Sequence, residues 1–271
     1  MKKKPEFTIV LMHIFIIIVC LFSVIPFIWM ISGATNRSVD IINGKVWFGT
    51  YLFENIRTLF ATVSVGQAFW NSLRNTTVAT ILSLFVCSMA GYGFQTYRDK
   101  YKDRLMSILL LSMMVPFASI MVPLFRLFSQ ARLLNTTFGF VLPSISTAFL
   151  IFFFRQNSMS FPYEIVQAAR VDGLGEFGIY LRIYFPVMAP TFAAAGIVAF
   201  MNNWNSYLWP LIIMQSQNSK TMPLLITSLT SGYTTDYGIL MLAVTICTLP
   251  TVLLFFSQQK RFVAGVLGSV K

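Results

Sequence analysis

The chain has 271 residues, 56% of them hydrophobic and 11% charged, where an ordinary soluble domain has about 25% charged residues. That balance excludes a soluble globular protein and implies an integral membrane protein. The net charge of +11, from 20 Lys and Arg against 9 Asp and Glu, would suggest nucleic acid in a soluble chain; here the basic residues sit in short connectors between apolar runs, where they signal orientation.

A helix crosses the hydrocarbon core in roughly 20 apolar residues. By that measure the sequence predicts an all-α, polytopic protein with six spans: Ile9–Ile31, Phe69–Tyr97, Leu105–Ala131, Phe138–Phe154, Pro186–Met214 and Ile239–Ser257. The first is too long, and lacks the small-residue cleavage site, to be a removable signal peptide, so it is expected to stay as an anchor. Between the first two spans, from about Ser32 to Gly66, the chain is too polar to cross. Its Trp47, Phe48, Tyr51 and Phe53 suit a surface-lying element at headgroup level; a plain connector is the alternative. Pro116, Pro123, Pro143 and Pro190 fall within the third, fourth and fifth spans, where proline kinks a helix.

Thirteen of the 20 basic residues collect on one side: Lys2 to Lys4, the connector Arg98 to Arg104, the connector holding Arg155, Arg170 and Arg182, and the tail with Lys260, Arg261 and Lys271. The positive-inside rule then puts both termini in the cytoplasm. No soluble domain or internal repeat interrupts the pattern, so the chain reads as one membrane domain over residues 1–271. Residues 1–68 supply the first span and the outer interfacial segment.

Several chemistries lack residues. No Asp or Glu falls inside a predicted span, which weighs against an ion-coupled carrier, where buried carboxylates are common. There is no G-x-x-x-x-G-K-[ST] phosphate loop, no nucleophile elbow and no carboxylate pair facing a cleft. Cys20, Cys87 and Cys247 lie far apart without C-x-x-C spacing, and His13 stands alone, so no disulfide framework or metal site is expected. An enzymatic role has no residues to rest on.

The connector between the fourth and fifth spans is the long polar segment on the basic side. Ser160 is a candidate cap, Pro162 suits a first helical turn, and Glu164 complements the positive helix end. Ile165, Ala168, Ala169 and Asp172 fall at i, i+3, i+4 and i+7, one face whose small residues allow close approach by a partner. Gly173 can end the helix in the left-handed conformation, and a second helix follows from Glu176 to Pro186. Taken alone, the segment reads equally as a structural interfacial helix; as a DNA-type helix-turn-helix it is poor, being tied to the membrane at both ends.

In spacing it resembles the cytoplasmic signature loop of ABC importer permeases: Glu-Ala-Ala, three residues, Gly, nine residues, Ile, one residue, Leu-Pro. Gln167-Ala168-Ala169, Gly173, Ile183 and Phe185-Pro186 keep that register, with Gln167 in place of the glutamate and Phe185 in place of the leucine. Asn71-Ser72-Leu73, Met113-Met114-Val115-Pro116, the run Asn203-Trp204-Asn205-Ser206-Tyr207-Leu208-Trp209-Pro210 and the tail from Gln259 to Lys271 are similar to the carbohydrate branch, the permease of the maltose type. The likeness extends over nearly the whole chain, with the family core at about 70–260.

The resemblance implies a bacterial inner-membrane subunit that pairs with a second, homologous permease, and two cytoplasmic ATPases that grip one signature helix from each. A sugar-binding protein outside delivers the cargo. ATP and Mg would be held by the ATPases, with no cofactor on this chain and no nucleic acid partner. ATPase coupling is then expected at Glu164, Gln167, Ala168, Ala169, Asp172 and Gly173, with the tail residues Lys260 and Lys271 as a second contact. Asn202, Asn203, Trp204, Asn205 and Tyr207 are the expected path residues, since amides hydrogen-bond sugar hydroxyls and aromatic rings stack on sugar faces. Against that stand interfacial anchoring of the rings and interhelical bonding of the amides. Glycerol phosphate is an alternative cargo, and an assembly subunit without a path is an alternative role.

Overall fold

The computed structural model describes residues 6–97, 99–232 and 234–267; these are mostly helical, with no strand among them. The chain divides into two compact units, one made of the stretch up to Val65 with Leu225–Leu249, the other of Gly66–Leu224 with the stretch from Pro250. The first holds α1 (Glu6–Gly33), α2 (Ser38–Ile42) and α3 (Leu52–Thr62). The second holds α4 (Val65–Thr96), α5 (Lys100–Ser112), α6 (Phe117–Gln130), α7 (Thr137–Val141), α8 (Ala148–Ser158), α9 (Tyr163–Val171), α10 (Glu176–Ile179), α11 (Phe185–Val187), α12 (Ala189–Trp204) and α13 (Leu208–Ile213). Helices α14 (Met222–Thr230) and α15 (Tyr237–Leu267) contribute to both.

Three helices are long and apolar enough to cross a membrane alone: Thr8–Gly33, Val65–Thr96 and Tyr237–Gln259. The other three predicted spans are each broken into separate helices. The third bends by 96° between Ser112 and Phe117, because Pro116, extended at φ −65° and ψ 134°, cannot donate to the ladder and keeps Val115 out of the helical region. The fourth bends by 48° at residues 145–147, where Thr147 turns extended and its hydroxyl accepts from the Leu150 amide at 3.4 Å.

The fifth bends by 83° between Val187 and Ala189. The break lies at Met188 rather than at Pro186: the ring of Pro190 would collide with the Pro186 carbonyl four residues back if the helix ran on. Helix α12 then stops at Trp204, so the stretch expected to span from Pro186 to Met214 is two helices joined by residues 205–207. If each bent pair crosses once, the total is six.

In the first unit, the outer segment is a folded element. Asn36 Nδ2 donates to the carbonyls of Ser32 (2.9 Å) and Trp47 (2.8 Å), and Asn55 Nδ2 to those of Ala34 (2.9 Å) and Asn36 (3.0 Å). Buried amides thus pair with backbone carbonyls where the helix gives way to loop. Trp47 and Phe53 stay 81% and 83% exposed, as suits rings at a lipid headgroup boundary.

Candidate functional site

Helix α9 begins at Pro162 without a side-chain cap; the Ser160 hydroxyl instead donates to the Asn157 carbonyl at the end of α8. Capping by Ser160 is therefore not what starts the helix. Its end is a full Schellman arrangement: Gly173, at φ +82°, donates to the Arg170 carbonyl (3.0 Å) and Leu174 to the Ala169 carbonyl (2.9 Å).

Val166 and Ala169 are buried, 1% and 5% exposed, within a core that includes Phe154, Ile179 and Tyr184. Ala169 is thus removed from the docking face expected of it, because helical spacing puts it on the Val166 side. The face left open consists of Glu164, Ile165, Gln167, Ala168, Val171 and Asp172, followed by Gly173. Val171 is 87% exposed, an apolar knob that the periodicity argument missed.

Residues outside the expected coupling set hold this loop. Arg170 Nε donates to Glu176 Oε1 at 2.7 Å and its Nη1 to the Tyr163 hydroxyl at 3.1 Å, clamping α9 to α10 across the glycine turn. The guanidinium holds the Glu176 carboxyl below the usual carboxylate range, mainly through that hydrogen bond. Beyond it, a single π-helical turn, Tyr180–Tyr184, aims two tyrosines inward. Their hydroxyls meet Ser88 of α4 and Ser158 of α8, each at 2.7 Å. Tyr92 packs 4.7 Å from the Tyr184 ring. One signal was readable: Tyr180 and Tyr184 lie four apart, on one helix face.

At the α12–α13 break a cavity of about 590 Å³ opens. Asn202, Asn203, Asn205 and Tyr207 line it, together with Thr147, Ser144, Phe140 and Trp209, and no lining residue is charged. Trp204 does not line it: that ring is 1% exposed, stacked on Phe200 at 5.7 Å and edge-on to Phe69. Asn203 spends its amide on the Ala199 carbonyl at 2.9 Å, whereas Asn202 and Asn205 are exposed. Trp209, which the sequence expectation left out, anchors the wall by donating to the Gly139 carbonyl at 3.0 Å and packing 5.0 Å from Phe128.

Of the two tail residues expected to couple, Lys260 belongs to α15 but its side chain lies outside the described residues, as Lys271 does entirely. Among the described residues no group of three His, Cys, Asp or Glu is placed to hold a metal.

A family model described as the binding-protein-dependent transport system inner membrane component matches residues 88–268. The chain belongs to this family. It is 53% identical over 249 residues to the lactose transport system permease protein LacG of Rhizobium radiobacter, covering 92% of this chain and 91% of that one. It is 33% identical to the arabinooligosaccharides transport system permease protein AraQ of Bacillus subtilis (strain 168), covering 100% and 99%. A chain from the crystal structure of a bacterial ABC transporter involved in the import of the acidic polysaccharide alginate shares the fold, with a TM-score of 0.81 over 97% of this chain and all of that one at 17% identity. The protein is accordingly a multi-pass inner-membrane permease subunit of an ABC importer, and ATP hydrolysis belongs to separate subunits.

Proposed function

We propose that this permease carries a neutral mono- or oligosaccharide, lined on its way by the α12–α13 cavity and driven through α9. The observation that carries the reading is the cavity's chemistry: exposed amides at Asn202 and Asn205, rings at Tyr207 and Trp209, and no charge. Such a lining binds hydroxyls and sugar faces and offers no cation to neutralise a phosphate, which weighs against glycerol phosphate. Relatives named for lactose and arabinooligosaccharides support the same class.

In this reading a second, homologous permease completes the path. Two ATPases, holding ATP and Mg, seat on Glu164, Gln167, Ala168, Asp172 and Gly173, with Lys260 and Lys271 as a further contact. A sugar-binding protein delivers cargo from outside, and both termini face the cytoplasm. Closure of the ATPases pushes α9 as a rigid lever, and rocking of one bundle against the other alternates access to the cavity.

Gly173→Asp tests the lever. A Cβ at Gly173 meets nothing within 4 Å, so the change costs only the left-handed strain, about 1–2 kcal/mol, and the protein should still insert and assemble. ATPase turnover should then no longer follow delivery of loaded binding protein, while Gly173→Asn, of the same size and tolerance of that conformation but without the charge, should retain coupling. Normal coupling in the Asp variant would remove the lever. Uptake of a panel of labelled mono- and oligosaccharides, lactose and arabinooligosaccharides among them, by cells lacking the chain tests the cargo; undiminished uptake across the panel would refute the carbohydrate reading.

A further inference from the structure

A second cavity, about 360 Å³, lies beside the loop and is lined by Tyr92, Gln95, Thr96, Ser158, Tyr163 and Tyr184, closed by Phe161. Tyr92, Gln95 and Thr96 share one face of α4 at i, i+3 and i+4. The lining holds hydroxyls, an amide and four aromatic rings but no charged side chain, so it suits neither an ion nor a phosphate and is too polar for an acyl chain. Two of the hydroxyls are committed elsewhere, Tyr184 with Ser158 at 2.7 Å and Tyr163 with Arg170 at 3.1 Å. Tyr92 is different. The residue is 6% exposed and its hydroxyl is buried, with no well-formed hydrogen bond and only the Thr96 side chain close enough to interact with it weakly. A buried hydroxyl left unpaired is costly, and a mixed cavity with a convergent polar group is the usual form of a small-molecule site.

We infer that this cavity is a second carbohydrate subsite, holding one ring of the transported class on the α9 side of the permease. Tyr92 donates to a ring hydroxyl and the tyrosine faces supply stacking. The inference rests on the carbohydrate reading and deepens it. Because Tyr163 is the first residue of α9 and one wall of the cavity, a bound sugar opposes movement of the lever. Sugar accumulating on the ATPase side therefore slows the transporter.

The test uses the assembled transporter in nanodiscs, with its binding protein already saturated, and adds free lactose or arabinotriose as probes while ATPase turnover is followed. Turnover is expected to fall as free sugar rises, and Tyr92→Phe should shift the midpoint of that inhibition roughly five-fold upward, the loss of one hydrogen bond. Asn205→Ala, in the other cavity, should not move the midpoint. A merely structural Tyr92 predicts no shift, since Phe keeps the ring and removes an unpaired group; Thr96→Val serves as the second variant. No inhibition by either probe, or a midpoint unmoved in both variants, overturns the subsite. If that happens while labelled sugar is still imported, only the subsite falls; if no sugar is imported, the carbohydrate reading falls with it.

Discussion

The loop around α9 and the cavity at α12–α13 are built by opposite rules. The loop pairs its polar groups with one another: Tyr180 with Ser88 and Tyr184 with Ser158 in the interior, Arg170 with Glu176 and Tyr163 at the surface. The cavity leaves Asn202 and Asn205 exposed and unclamped beside a helix break. Satisfied buried networks stiffen a structure, whereas a break in the backbone ladder is tolerated at membrane depth only where it lines a cavity or is covered by protein. On the proposed reading, the contrast separates a part suited to transmitting force from a part suited to being wetted and refilled.

The strongest way to break that contrast is at Gly139, whose carbonyl anchors Trp209 in the wall of the cavity. A Cβ there would come within 2.1 Å of the Leu133 carbonyl oxygen and 2.7 Å of Ile213, so backbone must move. Gly139→Ala is expected to cost about 1–3 kcal/mol or more, seen as a lower melting temperature in detergent together with loss of uptake. An unchanged melting point would mean the wall is as pliable as the mouth.

Tyr184→Phe sharpens the other side. The Ser158 hydroxyl keeps its bond to the Phe154 carbonyl, so the change removes one buried hydrogen bond, about 1 kcal/mol, without opening a hole. The expected result is an inserted transporter that spends more ATP per sugar imported, with Tyr180→Phe adding to the effect. If the ATP-to-sugar ratio stays at wild type in both, the tyrosines are packing and not a link. Asn205→Ala should do the reverse. Roughly five-fold weaker apparent sugar affinity, the loss of one hydrogen bond, is expected with melting temperature and coupling ratio unchanged.

The loop was legible in the sequence where local chemistry decides it: Pro162 and Gly173 delimit α9 as their backbone preferences require. The membrane crossings were legible as apolar runs but not as bent pairs, because hydropathy counts Met113 to Val115 and Met188 as spanning residues although proline breaks the ladder beside them. Ala169 was misplaced because its helix buries the Val166 side, and which side faces the core depends on distant Phe154 and Ile179. Trp204 and Trp209 exchanged roles for the same reason: composition names the rings, and packing chooses which one looks into the cavity.

The smallest expected effect, and the finest test of the loop as a clamped lever, is its pH dependence. Glu176 has its carboxyl lowered by Arg170, so the folded loop binds its proton less readily than the unfolded chain. The clamp's contribution is then present above the ordinary glutamate pKa, near 4.3, and is lost as pH falls through the lowered folded value. Coupling should be flat between about pH 6 and 8 and decline only in more acid solution. Because the pair is partly exposed, added salt should weaken it at any pH. Glu176→Gln should bring the acid behaviour to neutral pH and abolish the dependence, measured as the ATP-to-sugar ratio across the range. A wild-type titration centred near pH 7 would assign the control of coupling to another group.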